Sequence, residues 1–117
     1  MKAQEIRDTI ESLMGELESM RRDEQRLFQV RTRLNEEHAQ LQNEIKQARD
    51  RMAQAITTAG SAFPRELFAE LQLLERTLAA VETDMSALQE QLDAVQGSSR
   101  ELQRNVDKAR DQLASLS

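Results

Sequence analysis

The chain has 117 residues with a formal net charge of −5, 38% hydrophobic and 32% charged residues, three Phe as its only aromatics, and no Cys. The absence of Cys removes disulfides and thiolate chemistry, and an acidic balance with bases interspersed among acids disfavours nucleic acid, whose binding needs clustered Lys and Arg against phosphates. No apolar run approaches the length needed to cross a bilayer, so membrane insertion is not expected.

The first residues, Met1 to Arg7, contain no apolar stretch of the kind a secretory leader carries. The expectation is a cytoplasmic protein, with export by a signal-peptide-independent route as the alternative. From there an apolar heptad begins. With Ile6 at d and Ile10 at a, the a positions are Ala3, Ile10, Leu17, Glu24, Arg31, His38, Ile45 and Met52. The d positions are Ile6, Leu13, Met20, Leu27, Leu34, Leu41, Ala48 and Ala55. Such a sustained alternation of three and four residues marks a coiled-coil helix. It predicts a first helix over about 3–58.

The phase then breaks: Ala55 and Leu67 are both d positions, but their separation is not a multiple of seven. Gly60 suits a left-handed helix terminator, and Pro64 suits the first turn of a new helix. A turn is therefore expected at about 59–63, with a second helix over about 64–116. In that helix a falls at Leu71, Leu78, Met85, Leu92, Ser99, Val106 and Leu113. Position d falls at Leu67, Leu74, Val81, Leu88, Val95, Leu102, Ala109 and Leu116. Ser99 alone is polar. Ser98 and Glu101 have capping-box spacing next to Gly97, which would start a third helix. The heptad phase through Val95, Ser99 and Leu102 favours one continuous helix instead.

The fold class that follows is all-α, two long helices in an antiparallel coiled-coil hairpin, forming one domain over 1–117. Two registers one heptad apart fit the seam. One sets Ala3 opposite Leu116 and brings Arg51 near Glu70. The other brings Ile56 near Phe68 and Arg49 near Glu75.

Three sets of residues are candidate partner contacts. Glu24, Arg31 and His38 are consecutive polar a positions, and a buried unpaired charge is strongly disfavoured. Either their heads reach solvent along packed stems, or the stretch is weakly paired and admits another helix. Both registers place Gly97 and Ser99 across from it. Met14, Phe28 and Val30 stand at e and g and widen the apolar stripe, as a homodimeric four-helix bundle or a separate partner would require. Phe63, Phe68 and Leu73 lie at and after the turn, where they either cover the end of the seam or form an apolar tip.

No catalytic, cofactor or metal residues are expected. His38 is the only His and its neighbouring carboxylates point to different faces, which is too few ligands for a metal. No phosphate loop or nucleophile motif occurs, and a two-helix rod has no interior for a pocket with shifted acids. The expected function is therefore protein binding without catalysis.

The heptad pattern from Ala3 to Leu116, rich in Gln, Glu, Arg and Leu, resembles the YscO/FliJ-like coiled-coil stalk proteins of bacterial type III export. That resemblance implies an assembly or secretion adaptor contacting an export ATPase and secretion chaperones. The alternatives are a structural homo-oligomer and a secreted effector that acts by binding.

Overall fold

The computed structural model describes residues 2–58 and 63–116. Helix α1 spans Lys2–Thr58 and helix α2 spans Arg65–Ser115, so the fold is an all-α helical hairpin. The expected turn, with Gly60 as terminator, falls mostly on 59–62 and lies outside the described residues. Helix α2 begins one residue later than expected. Pro64 stands just before it, in the N-cap place: its carbonyl accepts the Phe68 N–H at 3.0 Å, and the Arg65 N–H turns back onto the Phe63 carbonyl at 2.9 Å. Pro64 has no N–H, so it adds no orphaned donor at the start of the helix.

Locally the helices are supported by a recurrent pairing. Gln4 donates to Asp8, Gln40 to Glu44, Gln89 to Asp93 and Gln103 to Asp107, each one turn ahead. Such pairs contribute about 0.2–0.5 kcal/mol each. Most of the helical stability must come from burying one face.

The chain divides into two compact units. Unit 1 is Met1–Gln29 with Leu88–Ser117, and unit 2 is Val30–Ala87. In each, the α1 and α2 segments pack antiparallel. The core of unit 1 is Leu17, Leu88, Leu92, Val106 and Ala109, and that of unit 2 is Ile45, Ala48, Leu71 and Val81. Every one of these is an a or d position. Met52, Leu74 and Leu78 pack against Ile45, Ala48 and Leu71. Leu92 and Val106 are each 1% exposed, and burial of such side chains contributes about 1.5–3 kcal/mol apiece.

Contacts across the seam are seen in both units. In unit 1 the Ser99 hydroxyl donates to Met20 Sδ at 3.9 Å, as the register with Ala3 opposite Leu116 requires. In unit 2, Arg51 Nη2 lies 3.3 Å from Glu70 Oε1 and Arg49 Nη2 lies 3.1 Å from Glu75 Oε1. These two ion pairs are not diagnostic of different registers. Arg51 and Glu70 are both g residues, Arg49 and Glu75 are both e residues, and the one seam carries both pairs on its two rims.

Helix α2 runs through Gly97, Ser98 and Ser99 without interruption. A Cβ at Gly97 would meet nothing within 4 Å, so no close approach demands glycine there.

Candidate partner-binding surfaces

The polar a positions do not bury charge. Among the described residues no polar or charged side chain is buried. In unit 1 Glu24 is half-buried. In unit 2 Arg31 is exposed and His38 is half-buried, with its Nε2 3.6 Å from Glu82 Oε2. That contact is an ion pair whenever the imidazole is protonated. The heads thus reach the rims along packed stems, which is how a thin seam accommodates polar layers. The Gly97–Ser99 segment does not face the whole polar stretch. Ser99 packs on Met20, one layer before Glu24.

Phe63 and Phe68 come together in unit 2. Their rings meet edge to face, with centroids 5.5 Å apart and planes at 62°, a favoured aromatic geometry. Both remain exposed, at 56% and 38%. Ile56, also exposed, occupies the e rim one heptad beyond the Arg49–Glu75 pair, where its counterpart on α2 is Phe68. Leu73 is the most open large hydrophobic at 64%, but it holds a c position and does not join this rim.

No protein family, curated protein or solved structure matches this chain. Its function must be read from its surfaces.

Met14, Phe28 and Val30 do not form one stripe. Met14 and Phe28 share the e rim in unit 1, whereas Val30 is a g residue of unit 2. Met14 is exposed and its Sδ receives Arg110 Nη2 at 3.6 Å. Phe28 and Val30 are half-buried. Around Met14 lies an open groove floored by Ile10, Leu17 and Val106 and edged by Arg7, Arg21 and Arg110, with Glu11 and Glu18 also on its edge. In unit 2 a smaller groove over Leu41 and Val81 is edged by Glu37, Glu44 and Thr77. These charged edges are absent from the sequence-derived candidates, although the e and g positions carry them. Among the described residues no cluster of three or more His, Cys, Asp or Glu is arranged to hold a metal ion, and no helix is long and apolar enough to cross a membrane.

Proposed function

We propose that this chain is a non-enzymatic protein-interaction module, and specifically an assembly or secretion adaptor that serves a bacterial export apparatus from the cytoplasm. The supporting observation is the exposed Phe63–Phe68 pair. The seam consumes the a and d residues, yet two of the three aromatics are left open. Aromatic side chains dominate binding energy at protein interfaces when a partner desolvates them. The heptad resemblance to export stalk proteins supplies the partner class, an export ATPase and its secretion chaperones.

The test uses the full chain and a purified type III export ATPase, with a secretion chaperone as a second ligand. Binding is measured by calorimetry. The expected result is a complex that Phe63→Ser with Phe68→Ser weakens by about thirtyfold or more, since truncating an aromatic hot spot costs about 2 kcal/mol or more. The helicity of the variant should be unchanged. Binding to neither protein contradicts the export role. Binding that ignores the double substitution contradicts the assignment of the aromatic pair.

A further inference from the structure

Coiled coils ordinarily pair charges across the seam along its e and g rims. Unit 2 does so with Arg49–Glu75 and Arg51–Glu70. Elsewhere the pairing fails in a consistent way. On the e rim of unit 1, Arg7, Arg21 and Arg110 are exposed and form no ion pair with any described residue. No carboxylate occupies a described e position of either helix in that unit. On the g rim of unit 2, Glu37, Glu44 and Asp84 likewise have no basic partner among the described residues. The Gln40 amide donates to Glu44 but leaves its charge in place. The register that joins Arg51 to Glu70 continues with Glu44 beside Thr77 and Glu37 beside Asp84.

Each set is thus left unneutralised by its own helix pair, and the two are opposite in sign. Their spacing also matches. Arg7 and Arg21 are two heptads apart on α1, about 21 Å, with Met14 midway. Glu70 and Asp84 are two heptads apart on α2, with Thr77 midway. Across the seam Arg110 sits beside Met14, and Glu44 sits with Thr77 on the same groove. With Met14 laid over Thr77, two of the three arginines fall on the unpaired Glu44 and Asp84 and the third falls on Glu70, which Arg51 already holds, while the exposed thioether lies over the groove at Leu41 and Val81.

We infer that the basic rim of unit 1 is a docking surface for the acidic rim of unit 2 on a second copy of this chain. The inference is independent of the adaptor role. Each copy carries both surfaces, so the contact is made either twice in a two-fold dimer or once per neighbour in a longer assembly. Exposed ion pairs are individually weak and screened by salt, so the association is modest and dependent on ionic strength.

The experiment is sedimentation velocity on the full chain. At about 0.1 M NaCl, the chain should self-associate with rising concentration. It should weaken about tenfold or more at about 1 M, where the Debye length has fallen from about 10 Å to about 3 Å. Two triple variants supply the decisive arms. Arg7→Glu with Arg21→Glu and Arg110→Glu makes both surfaces acidic, and Glu37→Arg with Glu44→Arg and Asp84→Arg makes both basic. Each alone should be a helical monomer, and their equimolar mixture should associate. If either triple variant loses its helicity, the single substitutions Arg21→Glu and Asp84→Arg carry the same comparison with smaller shifts. A wild-type chain that stays monomeric at low salt overturns the proposal. So does a charge-reversed variant that still self-associates, or a mixture of folded variants that does not associate.

Discussion

Leu92→Ala should lower the unfolding free energy by about 2–5 kcal/mol, the range for truncating a fully buried Leu. Leu92 is 1% exposed and is one of the two largest fully enclosed side chains. The seam is one layer of side chains thick, so few neighbours can close over the missing atoms. Urea unfolding followed by circular dichroism should show the midpoint falling with the slope unchanged, as for a loss of stability without a change in surface exposed. Leu73→Ala is the matched control. Leu73 is 64% exposed, and its truncation should change stability by no more than about 0.5 kcal/mol. Equal effects at the two sites would place the core elsewhere.

The second large effect concerns the segment at Gly97. Because α2 is continuous there, Ser98→Pro removes an interior hydrogen bond and sets the proline ring against the carbonyl of Ala94. The expected cost is about 3 kcal/mol or more. Gly97→Ala should act in the opposite direction, adding about 0.5–1 kcal/mol, because it reduces unfolded-state freedom and the new methyl enters open space. Thermal unfolding of both variants checks the pair. A break before Glu101 would reverse the expectation, with proline tolerated at Ser98 and Ala giving no gain at Gly97.

These expectations show which features a heptad makes legible. The seam was readable because burial repeats with the helix period: all nine buried hydrophobic residues, from Leu17 to Ala109, hold a or d positions. The register was not readable from the same pattern. A shift of one heptad keeps every a layer opposite a d layer, so the apolar residues cannot distinguish the two alignments. The rim pairs do not settle it either, because Arg51–Glu70 lies on the g rim and Arg49–Glu75 on the e rim, each with its own offset from the core layers. That offset is why Arg49–Glu75 and Arg51–Glu70 look like alternatives in the sequence and coexist in the structure. Phe63 precedes α2, so periodicity assigns it no face, and its contact with Phe68 depends on how Pro64 aims the chain. The unpaired rims were obscured for another reason. Averaged over all helix faces the charges look mixed, and the segregation becomes visible only when e and g positions are separated by unit.

The antiparallel register is the claim on which these surfaces rest. Since the chain has no native Cys, it is tested most directly by oxidising engineered cysteine pairs at high dilution and high salt, with the linked peptides identified by mass spectrometry. Met20→Cys with Ser99→Cys should form an intramolecular disulfide, because those side chains meet across the seam and a bridge requires neighbouring Cβ atoms. Linkage of Met20→Cys to Val106→Cys in preference to Ser99→Cys would place the helices one heptad away and contradict the account.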